Sequence, residues 1–146
     1  MNCIEKLKQE HEKIERELLE LETIIGEDEI NYSNLLHVIK KLYELWNSHE
    51  IKEEKVFSIL EKERIKMPVK TMLFEHKQLK PHKIALEKAI NSGNNQDVKD
   101  VLNSHAKTII TQLRNHINSE DEILYTIALS EFTKQEIKEL ESCLNE

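Results

Sequence analysis

The sequence is poor in the residues that interrupt helices, with two glycines and two prolines among its 146 residues. Glu, Lys, Leu and Ile are abundant instead, and all four are compatible with helix interiors. So few turn-forming residues leave little room for a fold with many tight turns. The composition therefore predicts an all-α chain, and its length suits a single domain over residues 1–146 with a core of its own.

Other absences limit the class of protein. No apolar run approaches the roughly 20 residues of a membrane span, and the chain opens on amphipathic helix rather than on a signal peptide. The formal charge of −7 argues against general nucleic-acid binding. Cys3 and Cys143 form no metal-binding or redox motif and are expected as free thiols in the cytoplasm. Neither nucleic acid nor membrane is expected as a partner, and nothing indicates an oligomer.

Apolar residues recur in steps of three and four and predict four long helices and a short fifth. Gly26 should end the first helix, Ser33 should cap the second, and Pro68 should lie in the first turn of the third. Pro81 is expected to kink the third helix. The predicted ranges are 2–25, 33–62, 68–91, 96–130 and 133–143. Short loops between the long helices predict an antiparallel up-down-up-down four-helix bundle with a short fifth C-terminal helix.

Each long helix carries polar residues at positions of its apolar face. His49 and Glu53 lie four residues apart, so they share one face of the second helix. Burying an imidazole and a carboxylate there is costly unless something compensates them. The same interruption occurs in the other three helices, at His11, at His76, and at His116 with Glu120.

Residue counts from each polar position to the nearest loop predict that the six side chains lie near the middle of the bundle, around one cavity. Four imidazoles and two carboxylates suit iron or manganese. Glu53 and Glu120, on facing helices, would bridge two metal ions. Each ion would then keep two histidines and an open coordination position.

The order His, His-x-x-x-Glu, His, His-x-x-x-Glu resembles that of hemerythrin-like, or HHE cation-binding, domains. The matching segments include Glu10-His11, residues 49–57, Glu75-His76 and residues 116–125, and the resemblance spans about residues 3–130. It implies two iron ions, joined by an oxo or hydroxo bridge, that meet O2, NO or peroxide. Iron is favoured over manganese or zinc. The implied metal ligands are His11, His49, Glu53, His76, His116 and Glu120.

The sequence departs from the oxygen-carrying branch of that family. Lys80 stands where the carriers have a second histidine, and His82 would reach the site only if Pro81 redirected it. Carriers place an aspartate where Asp121 stands, although periodicity favours Glu120. Iron-sensing relatives use the glutamate that corresponds to Glu50. We therefore keep Glu50, Asp121 and His82 as additional candidate ligands.

The expected function is a cytosolic non-haem di-iron protein that binds or reduces a small oxidant. The alternative is an iron-responsive sensor or iron-storage module without turnover. Binding is better supported than catalysis, because the motifs supply no dedicated proton donor. His105 should lie about 16 Å from His116 along the helix, too far to be a ligand. Ile123 should line the cavity, and Tyr125 should reach a bound oxidant only if its helix rotates.

Overall fold

A computed structural model of the chain describes residues 2–60 and 68–144, the last three of them by their backbone alone. These residues form four long helices and a short fifth, and none of them lies in a β-strand. The predicted all-α class is therefore confirmed. The helices are α1 (Cys3–Ile25), α2 (Tyr32–Leu60), α3 (Val69–Asn91), α4 (residues 95–131) and α5 (Lys134–Leu144).

Capping groups explain where the first two helices begin. The Asn2 side chain accepts a hydrogen bond from the backbone N–H of Glu5, whose carboxylate accepts one in return from Asn2. This capping box satisfies donors at the start of α1 that have no partner within the helix. The second helix begins one residue before the predicted Ser33, because the side chain of Asn31 accepts from the backbone of Asn34 at 3.1 Å. Its predicted end at residue 62 lies outside the described residues.

Two residues that were predicted to mark helix ends, Gly26 and Pro68, differ from expectation in the structure. Gly26 ends α1 in the right-handed helical region, with φ of −77°, so its freedom to adopt positive φ is not used. Pro68 precedes α3 instead of lying in its first turn. Pro81 lies inside α3, which continues through it to Asn91. The glycine with positive φ is Gly93, in the loop after α3, with φ of 69°.

The fourth helix is interrupted by two π-turns, in which the backbone hydrogen bonds span one residue more than in an α-helix. Three α-helical segments, Asn95–Val101, Lys107–Ser119 and Tyr125–Glu131, alternate with the π-turns Leu102–Ala106 and Glu120–Leu124. Each π-turn adds a residue to its turn and so moves the buried face of the helix by one position. The uninterrupted helix predicted over residues 96–130 did not include this change.

The residues that follow each π-turn show the displacement. Ile123 was predicted to line the cavity but is 48% exposed, and His105, next to the other π-turn, is half-buried. The buried positions are instead Ala106, Leu124 and Tyr125. Ile123 therefore does not line the cavity, as the sequence had suggested.

The apolar core consists of two separate clusters with a polar layer between them. One cluster contains Leu18 of α1 and Leu42 of α2, and the other contains Leu7 of α1 and Phe57 of α2. Along α1 the chain passes from the second cluster to the first, and along α2 it passes back. The order reverses again in α3 and in α4. Between the clusters lie the buried side chains His11, His49, Glu53, His76, His116 and Glu120.

The fifth helix closes the core next to the second cluster. The Thr133 side chain and backbone exchange hydrogen bonds with Glu136, so the two residues form a capping box. Ile137 and Leu140 are buried in the second cluster, and the Cys3 thiol lies 3.8 Å from the Ile137 carbonyl oxygen. Among the described residues, no helix combines the length and the apolar character that crossing a membrane requires.

Candidate metal centre

The structure brings together the six polar residues that the sequence places on the inner faces of the helices. Each is at most 7% exposed. They form two overlapping groups of four, in each of which ligand-type atoms lie within 4.8 Å of one another. Glu53 and Glu120 belong to both groups. The first group adds His11 and His49, and the second adds His76 and His116.

The histidines are arranged in two pairs. The rings of His11 and His49 lie 4.5 Å apart between centroids. Those of His76 and His116 lie 4.7 Å apart. Two imidazole pairs with two shared carboxylates between them match the ligand arrangement of a two-metal site. We refer to the pairs, each with the shared carboxylates, as the His11/His49 position and the His76/His116 position.

Glu53 is the central acceptor of the layer. Its Oε2 atom lies 2.9 Å from His49 Nε2 and 3.4 Å from His11 Nε2. Its Oε1 atom lies 3.0 Å from His76 Nε2. One carboxylate thus faces histidines of both positions, as a bridging ligand must.

Glu120 is equally buried but poorly satisfied. Its Oε1 atom lies 3.1 Å from His116 Nε2 and 3.3 Å from His11 Nε2. Within the described part of the chain, neither Glu120 oxygen has a hydrogen-bond partner of good geometry, and the same holds for both ring nitrogens of His116. Buried polar atoms without partners are costly. A cation at this point would satisfy them, so the donor set fits a metal ion.

Carboxylates outside the layer orient the first histidine pair. Asp121 Oδ1 lies 2.8 Å from His11 Nδ1, and Glu10 Oε1 lies 2.8 Å from His49 Nδ1. Lys52 holds the other oxygen of Glu10 at 2.6 Å. Such outer carboxylates fix the ring orientation of a metal-binding histidine and increase its basicity. The Nε2 atoms are thereby directed toward the shared carboxylates.

The second pair has outer carboxylates in corresponding places, but at longer distances. Glu75 lies 3.5 Å from His116 Nδ1, and Glu54 lies 3.6 Å from His76 Nδ1. Neither nitrogen has a hydrogen-bond partner among the described residues. The correspondence is regular, since each outer residue is next in sequence to a residue of the layer.

Burial and the neighbouring carboxylates shift the pKa values of the histidines in opposite directions. Burial alone would lower the pKa of His11, but its hydrogen bond to Asp121 and its close contact with the Glu120 carboxylate raise it to about 11. Burial would also lower the pKa of His76, but its contact with Glu53 raises that pKa to about 9. Without metal, these histidines therefore hold protons that a metal ion would displace.

The two shared carboxylates shift in opposite directions. Burial would raise the pKa of Glu53, but the close contacts with His11, His49 and His76 hold it well below its usual range. Burial and the negative charge of Glu53 raise the pKa of Glu120. The layer thus contains one strongly anionic carboxylate and one that resists ionisation while no cation is present.

The arrangement of buried histidines and carboxylates is matched by a family comparison, which aligns residues 2–128 with the hemerythrin HHE cation-binding domain. The chain belongs to this family. No curated protein and no solved structure matches it significantly. The family description assigns cation binding, which agrees with the two groups of ligand-type atoms.

The remaining candidate ligands of this hemerythrin-type domain lie outside the layer. Asp121 contacts His11 on the ring nitrogen that faces away from the shared carboxylates. Glu50 lies 3.9 Å from the outer nitrogen of His76. His82 points to His105, with 2.9 Å between their Nδ1 atoms. None of the three is brought into the two groups formed with Glu53.

Tyr125 is a residue beside the layer that the sequence interpretation did not place there. It is fully buried, its hydroxyl group donates to Glu53 Oε2, and its ring stacks on His11 at 5.4 Å with a tilt of 13°. Burial and the nearby carboxylates, first Glu53, raise its pKa well above the usual value, so the hydroxyl keeps its proton. The sequence predicted that Tyr125 would reach the site only if its helix rotated, and the π-turn Glu120–Leu124 provides this change of face.

Two surface cavities lead to the outer sides of the layer. One of about 350 Å³ reaches His11 between Glu15, Arg114 and Asp121. The other, of about 360 Å³, reaches His76 and is lined by Lys80 among other residues. Lys80 therefore lies in an approach to the His76/His116 position.

Proposed function

We propose that this hemerythrin-type domain binds two iron ions between the His11/His49 and His76/His116 positions, with Glu53 and Glu120 as bridging ligands. The observation that carries the proposal is the overlap of the two four-residue groups at these carboxylates. Two separate mononuclear sites would not need to share both carboxylates. The unpartnered atoms of Glu120 and His116 support the same assignment, because a cation satisfies them.

The proposal includes an antiparallel up-down-up-down arrangement of the four long helices. The order in which the chain visits the two apolar clusters supports it, since this order reverses from each helix to the next. Such an arrangement lets every helix contribute to one layer at mid-height.

We further propose that the centre binds or reduces a small oxidant, namely O2, NO or peroxide. Bound iron ions would supply electrons and an open coordination position to that ligand. Two fully buried rings would limit the access of water to that ligand, because Tyr125 stacks on His11 and Phe57 stacks on His76. A location in the cytoplasm is part of the proposal, in keeping with the free buried thiol of Cys3.

Metal analysis of the full chain tests the first step. Protein purified without added metal and then loaded with ferrous iron should retain about two ions per chain, and Glu17→Gln should retain as many. Glu17 is a suitable control because it is a buried carboxylate that pairs with Lys41 and lies outside the layer. Retention below about 0.2 ions per chain in the wild type would contradict metal binding altogether.

The second step is tested on the loaded protein. Azide or peroxide should change its visible absorption, and the consumption of peroxide or NO would distinguish turnover from binding. A loaded protein that ignores azide, peroxide, NO and O2 would contradict the oxidant proposal.

An iron-responsive sensor or store is the second candidate. One observation favours it: the layer contains several buried polar atoms without partners, so metal should stabilise the fold strongly. A large rise in melting temperature on loading, together with no response to oxidants, would support this function over the first.

A further inference from the structure

Tyr125 makes one half of the metal centre different from the other. Its hydroxyl group donates to the Glu53 oxygen that faces His49 and His11. No tyrosine or other hydroxyl side chain among the described residues makes the corresponding contact with Glu120, whose oxygens have no hydrogen-bond partner there. The phenol therefore acts on one of the two shared carboxylates.

The backbone of α4 is shaped to make this contact. Tyr125 follows Glu120 by five residues, which in a regular α-helix would put the two side chains about 140° apart. The π-turn Glu120–Leu124 accommodates the additional residue, and both side chains then lie in the buried layer. Since π-turns are rare and concentrate at functional sites, the distortion points to a role for the residue it brings inward.

We propose that Tyr125 is a positioning residue of the metal centre, whose hydroxyl group holds one oxygen of Glu53 and so makes the two bridging carboxylates inequivalent toward the metal ions. This inference rests on the proposed di-metal function. The hydrogen bond fixes the carboxylate and withdraws negative charge from the oxygen that accepts it. Hydrogen bonds of this kind to ligand atoms tune both metal affinity and reduction potential.

Tyr43 provides a matched control within the same chain. It is also a buried tyrosine, and its hydroxyl donates to the backbone carbonyl of Lys83 at 2.8 Å. It belongs to the first apolar cluster, and its contacts do not include the six residues of the layer. Replacing either tyrosine by phenylalanine removes one buried hydrogen bond, whereas only Tyr125→Phe changes the surroundings of Glu53.

The experiment compares the wild type, Tyr125→Phe and Tyr43→Phe as full-length proteins. Co²⁺ is titrated into each metal-free protein and followed by its visible absorption, and the reduction potential is measured after iron loading. We expect about a 10-fold loss of Co²⁺ affinity, an altered Co²⁺ spectrum and a lower reduction potential in Tyr125→Phe. The potential falls because an oxygen without its donor gives more charge to the more highly charged ion. Tyr43→Phe should match the wild type in all three.

The outcomes separate the inference from the proposed function. A wild type that binds no Co²⁺ and no iron contradicts the metal centre itself. A wild type that loads, with both variants giving its spectrum and potential, overturns the role of Tyr125 alone. If Tyr125→Phe does not fold, the wild type and Tyr43→Phe are compared instead. Their tyrosine signal is followed by near-ultraviolet circular dichroism. Zn²⁺ should then change the tyrosine signal equally in both, and no change would overturn the inference.

Discussion

The His11/His49 and His76/His116 positions use the same residue types, but their surroundings hold them differently. At the His11/His49 position, both outer nitrogens lie 2.8 Å from a carboxylate. At the His76/His116 position, the corresponding distances are 3.6 and 3.5 Å. The first position is therefore preorganised by its outer carboxylates, whereas the second would have to adjust to bind a metal ion. Identical sequence motifs do not give equivalent sites, because the outer contacts decide how firmly each ring is held.

The largest expected effect comes from the carboxylate that joins the positions. Glu53→Gln should reduce the affinity for both metal ions at least about 100-fold, because Glu53 faces three histidines and carries the charge that the ions need. Metal content after dialysis would measure this, with Glu17→Gln as the control. Retention of one tightly bound ion would show that the two positions are more independent than the shared ligand implies.

The outer carboxylates test the comparison directly. Glu10→Gln should weaken one metal-binding step by about 10-fold to 100-fold, because it removes the anion that orients His49 at 2.8 Å. Glu75→Gln, at 3.5 Å from His116, should change the affinity by less than about threefold. Stepwise Co²⁺ titration of both variants gives the two constants. Equal losses would remove the distinction between a preorganised and an adjustable position.

A change of pH should alter the thermal stability of the metal-free and the metal-loaded protein in opposite directions. The pKa values of His11 and His76 are raised to about 11 and about 9 in the folded metal-free protein. Their contribution to stability is therefore complete below the unfolded value of about 6.5 and is lost as the pH rises through the raised values. The melting temperature of the metal-free protein should fall by about 5 °C or more between pH 6.5 and pH 9.

The metal-loaded protein should show the reverse trend over the same pH range. Metal ions bind deprotonated imidazoles, so their stabilising effect increases as protons become scarce. Thermal melts of both forms in the same buffers give the two slopes. Parallel slopes would mean that the histidines do not carry the protons that their carboxylate contacts imply.

The smallest effect is expected outside the layer. His105→Ala removes the partner of His82, but neither histidine contacts Glu53 or Glu120. Both metal affinities should stay within about twofold of the wild type, by the additivity of distant sites. The exposed His37 gives a control, and a loss of bound metal in His105→Ala alone would extend the centre beyond its six residues.

The layer itself was accessible from sequence because it depends on local periodicity. Steps of three and four residues put His49 and Glu53 on one buried face, and the same rule applied to His116 and Glu120. The structure brings all of these side chains together with His11 and His76.

The outer contacts and Tyr125 were not accessible in this way. Glu10 and Glu75 precede the histidines of α1 and α3, but they pair with histidines of a neighbouring helix, which no spacing within one helix reveals. Neither π-turn contains glycine or proline, the residues by which sequence interpretation finds distortions. Packing between helices decides where the additional residue is placed, and Tyr125 changes face as a result.

The division of the core into two apolar clusters bears on how the molecule unfolds. Side-chain packing is continuous within each cluster and interrupted at the polar layer. Each half is therefore suited to act as its own cooperative unit, with its own opening free energy and hydrogen-exchange protection. The two clusters are coupled by the helix backbones that run through both of them and by the contacts between imidazoles and carboxylates in the polar layer. Ions bound to the layer would link the two halves, so that the two apolar clusters would unfold together.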